Sequence, residues 1–408
     1  MRITYLHQYF KTPSMSGGTR SFEMARRLLE WGHDVHVVTS WQAADGEKSN
    51  FETIESGIRV SWLPVPYSNH MSYPARIRSF LEFAARSSRV ASGISADIVF
   101  ATSTPLTIAI PGIFTSHRRR VPMVLEVRDV WPDLPIALGA LKNPLLRIAA
   151  TGLERVAYRY ASRIVALSPG MRDGIVRNGG DGARVTVIPN GCDLELFNPM
   201  HADPRHFLQA HPKLDGRPLA VYAGTLGLAN GVRYLVKIAH DCLLAGSNIC
   251  IVVVGDGAEH ALIEAEARRS GVLGENFFLL PPCRKQDVPH IFAAASIVLS
   301  IFIDNAALHA NSANKFFDGL AAGRPIAINY GGWQADLINT YQIGVALSPS
   351  DIPLAASQLR AFVCDKSRLK QCGRAALALA KSQFNRDVLA RQLESVFIDA
   401  VTESNRWR

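Results

Sequence analysis

Short apolar runs alternate with longer amphipathic ones along the first half of the chain. ITYL at 3–6, DVHVVTS at 34–40, DIVFAT at 97–102, PMVLEV at 122–127 and RIVALS at 163–168 read as buried strands, while 19–30 carries apolar residues at helical spacing. Trp31-Gly32-His33 fits a helix C-cap ahead of the second strand. After a loop rich in Pro, His and Asp at 198–218, a second series begins: LAVYAG, NICIVVVG, NFFLL, ASIVLSI and PIAIN, again separated by helical segments. Strands alternating with helices argue for βαβ units on a parallel sheet. The pattern predicts an α/β protein of two doubly wound, Rossmann-like domains facing a cleft, 1–200 and 201–385. A final helix at 386–408, with apolar residues at helical spacing, is expected to pack back on the first domain.

Composition narrows this picture. A chain of 408 residues with 48% hydrophobic and 19% charged residues is long enough for two cores and is not a disordered polymer. The six cysteines contain no C-x-x-C pair, so neither a zinc site nor a disulfide framework is expected. The opening MRITYLHQYF lacks the layout of a signal peptide, which predicts a cytoplasmic location. Net charge is +9, and residues 1–200 hold 23 basic against 17 acidic residues, so an anionic partner is expected for the first half. The stretch 98–113 is interrupted by Pro105 and Pro111 and is too short to span a bilayer.

Two loops carry phosphate chemistry. The first strand runs into Pro13-Ser14-Met15-Ser16-Gly17-Gly18-Thr19-Arg20 ahead of a helix, and Gly224-Thr225-Leu226-Gly227 repeats the arrangement after the first strand of the second series. Glycines between strand and helix let backbone N–H groups approach a phosphate, and the helix N-terminus adds partial positive charge. The plain alternative is a turn. Gly255-Asp256-Gly257 resembles a dinucleotide fingerprint, but His260 stands where its third glycine belongs, which argues against NAD.

In the block Asn311 to Pro325, Lys315 and Asp318 lie three residues apart on one helix face. An ammonium there meets a diphosphate, and a carboxylate accepts from ribose hydroxyls. A solvated ion pair is the competing reading. Gly323 and Pro325 end that helix.

Taken in order, these pieces resemble the retaining glycosyltransferases of family 4, which have the GT-B fold. The matching residues are Gly17-Gly18, 29–35, 166–171, Ile188-Pro189-Asn190-Gly191-Cys192-Asp193, Val254-Gly255-Asp256-Gly257 and Lys315 to Pro325. Around Glu126-Val127-Arg128-Asp129-Val130-Trp131-Pro132-Asp133 the chain is similar to the subgroup that builds O-antigen and capsule chains, including fucosamine-type transferases. The resemblance implies a UDP-linked donor, a deoxy- or N-acetylated aminosugar, an undecaprenyl-diphosphate-linked acceptor, retention of configuration, and no metal or other cofactor. It assigns donor binding to Gly17, Gly18, Gly224, Thr225, Arg284, Asn314, Lys315 and Asp318. The chain departs from the family pattern at Thr225 and Asn230, where basic residues are usual, and at Ala310, where a glutamate is usual.

Transfer from a nucleotide sugar needs positive charge and aimed N–H dipoles at the departing diphosphate. Lys315 is the first candidate for catalysis. Arg128 and Asp129 join it from the end of a strand, where ligands meet open α/β sheets; a structural Arg–Asp pair is the alternative, and His7 is equally ambiguous. Residues 76–89, with four arginines, read as a basic amphipathic helix, and Arg118-Arg119-Arg120 adds a second cluster. Both suit an anionic membrane surface, so a peripheral place at the inner face of the cytoplasmic membrane is expected; a solvated basic face is the alternative. Nucleic acid is not expected as a partner, because aromatic and basic residues are not interleaved. Two other functions stay open: a UDP-sugar 2-epimerase of the same fold, and a nucleotide-sugar-binding protein without catalysis.

Overall fold

The structure, a computed structural model, describes residues 1–15, 17–42, 47–68, 71–129, 131–133, 136, 139 and 141–406. Ser16 of the first glycine loop, Val130 of the 126–133 stretch and residues 407–408 of the last predicted helix lie outside the described residues. The chain divides into two compact units, one of Met1–Thr12, Gly17–Pro189 and Asp387–Arg408, the other of Pro13–Ser16 and Asn190–Arg386.

The first unit is built on a sheet of β1 (Arg2–Leu6), β2 (Asp34–Trp41), β3 (Phe51–Glu55), β4 (Ile58–Pro64), β5 (Ile98–Thr102), β6 (Met123–Val127), β7 (Arg163–Ala166) and β8 (Val185–Val187), in the order β3-β4-β2-β1-β5-β6-β7-β8. All pairings are parallel except the β3–β4 hairpin at the edge. β5 and β6 are buried at every residue, as expected for parallel strands covered on both faces. The chain moves from β1 outward through β2, then returns to the other side of β1 at β5. This reversal leaves a switch point between β1 and β5.

Helices α1 (Arg20–Glu30), α2 (Tyr73–Gly93), α3 (Ala109–Arg119), α4 (Pro144–Tyr160) and α5 (Pro169–Arg177) cover this sheet. Local chemistry starts the last two: Asn143 accepts from the backbone N–H groups of Leu145 and Leu146, and Ser168 from that of Met171, each followed by a proline at the first helical position.

The second unit has an all-parallel sheet of β9 (Leu219–Ala223), β10 (Cys250–Val254), β11 (Phe277–Leu280), β12 (Ile297–Ser300), β13 (Ile326–Ile328) and β14 (Gly344–Ala346), in the order β11-β10-β9-β12-β13-β14. Its switch point falls between β9 and β12. Its helices are α6 (Arg205–Ala210), α7 (Arg233–Leu244), α8 (His260–Arg269), α9 (Val288–Ala294), α10 (Asn314–Ala321), α11 (Trp333–Tyr341), α12 (Ile352–Cys364) and α13 (Lys366–Ser382). Gly319 brings α10 down onto the sheet: a Cβ there would lie 2.4 Å from Ile326 Cδ1 and 3.1 Å from Val298 Cγ1.

Helix α14 (Arg386–Arg406) belongs to the first unit from Asp387 onward. Phe397 is buried edge-on against Phe100 of β5 with ring centroids 5.0 Å apart, and His33 Nε2 meets Glu394 2.7 Å away.

Candidate functional site

Lys315 is the second residue of α10, and its half-buried side chain reaches the switch point of the second sheet. Its ammonium lies 4.7 Å from the ring centroid of Tyr222 in β9 and 5.2 Å from that of Phe302, just beyond β12. Two aromatic faces hold a cation by their quadrupoles without neutralising it. With its amide turned to satisfy both neighbours, Asn230 accepts from Lys315 Nζ at 3.3 Å and donates to the Thr225 carbonyl at 3.0 Å. Burial pushes the Lys315 ammonium down to about 8, with Asp318 opposing the shift.

The loop after β9 is shaped around that side chain. A Cβ on Gly224 would stand 3.1 Å from Lys315 Cε, so glycine leaves the lysine stem its path. The loop after β10 presses against the same segment. Gly224 N–H donates to Val254 O and Leu226 N–H to Asp256 O, and a Cβ on Gly255 would fall 2.0 Å from Gly224 O. The Gly255-Asp256-Gly257 sequence thus serves close packing of two loops. Thr225 is exposed, and its carbonyl also accepts from the Tyr222 hydroxyl. Asn314 opens α10, whose start has no side-chain cap, leaving backbone donors beside the Lys315 ammonium.

Two expectations change. Asp318 does not stand open for a ribose: it is buried, and Lys285 Nζ lies 2.5 Å from its Oδ2. Lys285 also sits 4.8 Å from the Phe197 ring centroid. Arg284, the neighbour named from the sequence, turns outward and pairs with Asp287 on the surface, its side chain 71% exposed. Lys285, the partner of Asp318, was not named from the sequence. The adjacent basic pair Arg284-Lys285 was the available signal, but a short turn separates their directions.

In the first unit, the ends of β1, β5 and β6 bring His7, Thr104, Arg128 and Asp129 to one edge of the sheet. Thr104 Oγ1 donates to Asp129 Oδ2 at 2.8 Å, and burial raises the Asp129 carboxyl above its usual range against that hydrogen bond. Arg128 Nη1 lies 3.4 Å from His7 Nε2. Burial, then Arg128 and Lys11, hold the His7 imidazole well below its usual value, and its Nδ1 is unpartnered among the described residues. The buried Arg–carboxylate pair of this edge is a different one. Arg20, at the start of α1, meets Glu126 at 2.8 Å and donates to the carbonyls of Ile188 and Pro189. Gly17 (φ +133°) and Gly18 are exposed just ahead of it, the first in a backbone region that favours glycine.

Residues 17–191 match the family described as Glycosyl transferase 4-like domain. The chain is 34% identical to alpha-maltose-1-phosphate synthase of Mycolicibacterium smegmatis over 29% of its own length and 31% of that protein. It is 22% identical to 2-deoxystreptamine glucosyltransferase of Streptomyces kanamyceticus over 63% of its own length and 62% of that relative. The chain therefore spans less than two thirds of either. Anabaena Alr3699/HepE, solved in complex with UDP and glucose, superposes with a TM-score of 0.71 at 17% identity, covering 98% of this chain and 100% of that one. Two Rossmann-like parallel sheets, each with its own switch point, give this chain the GT-B fold of its glycosyltransferase neighbours.

Proposed function

We propose that the protein is a glycosyltransferase that moves a sugar, a deoxy- or N-acetylated aminosugar, from a UDP-linked donor to a lipid-linked saccharide, with retention and in surface-polysaccharide synthesis. The observation that carries this reading is Lys315. Its ammonium is held by rings and an amide, with no carboxylate in contact among the described residues, at the switch point where a ligand meets an open sheet. An anion arriving there raises the depressed pKa and fixes the charge. As the bond to the sugar breaks, negative charge grows on the diphosphate, and Lys315 with the uncapped backbone donors at the start of α10 stabilises it without reorganising. Within the first unit, the exposed Gly17 and Gly18 ahead of α1 are assigned to binding a phosphate. Asp129 and Arg128 are assigned to sugar or acceptor hydroxyls, and His7, held neutral by burial, offers a hydrogen bond beside them. Asp318 acts through Lys285 as a positioning residue. The similarity to a protein solved with UDP and glucose supports the choice of nucleotide.

For the acceptor side, α3 packs against both α2 and α4. These helices expose Leu81 (53%), Phe114 (50%), Leu145 (73%) and Ile148 (70%), and the same helices carry the exposed arginines Arg78, Arg118 and Arg155. Apolar residues beside cations are what an anionic bilayer surface selects, and among the described residues no helix is long and apolar enough to cross a membrane. This supports peripheral attachment to the cytoplasmic leaflet, where an undecaprenyl-linked acceptor lies. The test is turnover: release of UDP from a panel of UDP-sugars, with and without a polyprenyl-diphosphate saccharide. Acceptor-dependent release that is lost in Lys315→Ala supports the reading. Conversion of donor without acceptor indicates an epimerase, and UDP binding with no turnover on any acceptor indicates a binding protein.

A further inference from the structure

A cavity of about 550 Å³ lies in the second unit at the edge opposite to Lys315. Its wall includes Ser296 and Pro325, which stand immediately before β12 and β13, whereas the Lys315 site gathers around the ends of β9 and β12. Four cations line it, Arg324, Lys366, Lys370 and Arg374, and among the described residues no acidic one does. The remaining lining is small or apolar, with Gly373 packed so close that a Cβ there would lie 2.5 Å from Gly323 O.

The charges are not accounted for by the fold. Lys366, Lys370 and Arg374 recur at i, i+4 and i+8 on α13, the spacing at which like charges repel along one helix face. Lys366 stands in the first helical turn, where the macrodipole disfavours a cation, and the N-cap Asp365 beside it accepts from the Arg368 N–H. None of the three makes an ion pair among the described residues. By contrast Arg268, Arg284 and Arg360 in the same unit are each paired. Arg324 is held rigidly by donating to the carbonyls of Ala293 and Ala295, which end α9, and this fixes its guanidinium in the wall.

We infer that this cavity is a binding site for a phosphate ester, separate from the donor site. Its volume lies in the range of small-molecule pockets, large enough for a sugar phosphate. Arginine recognises phosphate through paired N–H donors and lysine as a point charge. The apolar remainder of the wall covers the carbon skeleton. α13, which carries three of these cations, also packs on α10, the helix of Lys315.

The test is calorimetric titration of the full chain with glucose 6-phosphate and with inorganic phosphate, alongside flotation with vesicles of phosphatidylglycerol and phosphatidylcholine. Each is repeated for Lys370→Glu/Arg374→Glu, whose positions are exposed, and for Lys315→Ala. Saturable binding of the sugar phosphate that survives Lys315→Ala and weakens at least about tenfold in the double variant is expected, since each charge-assisted hydrogen bond is worth about one decade or more. If only vesicle binding responds to the double variant, the phosphate comes from a lipid headgroup. Absence of binding by every probe, or binding unchanged in the double variant, overturns the assignment. Loss of binding in Lys315→Ala alone places the ligand in the donor site and overturns it as well.

Discussion

At the scale of single residues the electrostatics of Lys315 make a prediction with a defined sign. Its folded-state value of about 8 lies below the 10.5 of the free side chain. Below pH 8 the lysine is charged both folded and unfolded, so the burial penalty stands in full. Between about 8 and 10.5 the unfolded chain holds a proton that the folded chain has released, and stability rises with pH across this window. Anion binding runs the other way, because a diphosphate needs the charged form. UDP affinity is therefore expected to fall as pH rises through about 8, and calorimetric titration at pH 7 and 9 measures it. In Lys315→Ala both trends disappear, and affinity at pH 7 drops by roughly ten- to a hundredfold, the worth of a charge-assisted hydrogen bond.

The neighbouring pair separates structure from binding. Lys285→Ala leaves the Asp318 carboxylate buried without its cation, and the loss of one partner of such a pair costs about 3–5 kcal/mol, read from urea denaturation. Arg284→Ala is expected to change neither stability nor UDP affinity. Sequence spacing placed Lys315 and Asp318 on one face of α10, but it could not show which of residues 284 and 285 turns inward. That depends on the short turn Lys285–Asp287, which has no apolar periodicity of its own. Likewise Asn230, noted as a departure from the family pattern, becomes intelligible only once its amide is seen against Lys315.

At the scale of elements, the strands buried on both faces were legible because short β-branched and apolar runs bounded by turn residues mark parallel strands covered on both sides. The β3–β4 hairpin was not: β3 alternates between half-buried and exposed positions at the edge of its sheet and carries two glutamates. The Gly224 loop was read as a phosphate binder, and the structure shows it packed tightly against the loop of Gly255. Gly255→Ala would drive a Cβ into Gly224 O at a backbone φ of +153°. It is expected to cost about 2 kcal/mol or more through strain and overpacking, and to displace the loop beside Lys315 so that UDP affinity falls with it. Helix α4 was hidden from sequence reading because its exposed apolar residues do not form a one-sided stripe facing the core. Leu145→Asp/Ile148→Asp, at positions 73% and 70% exposed, leaves folding intact and is expected to abolish flotation with phosphatidylglycerol vesicles.

At the scale of the whole molecule, the chain closes on itself: its last helix completes the unit that its first strand begins. The ties are specific. Arg27 at the end of α1 meets Asp387, Arg163 at the start of β7 meets Glu403, and between them Leu393, Val396, Phe397 and Ala400 are buried. Helical spacing at 386–401 announced such a helix, but only the contacts reveal that β5, in the middle of the sheet, depends on it. Phe397→Ala removes a fully buried ring stacked edge-on against Phe100, a change worth about 3–5 kcal/mol. Because each unit has its own sheet and core, the loss should stay local. Hydrogen exchange distinguishes the outcomes: amides of β1, β5 and β6 are expected to lose protection together, while those of β9, β10 and β12 keep theirs. UDP binding through Lys315 is then expected to survive a mutation that weakens the first unit, whereas equal loss of protection in both sheets would mean that the two units unfold as one.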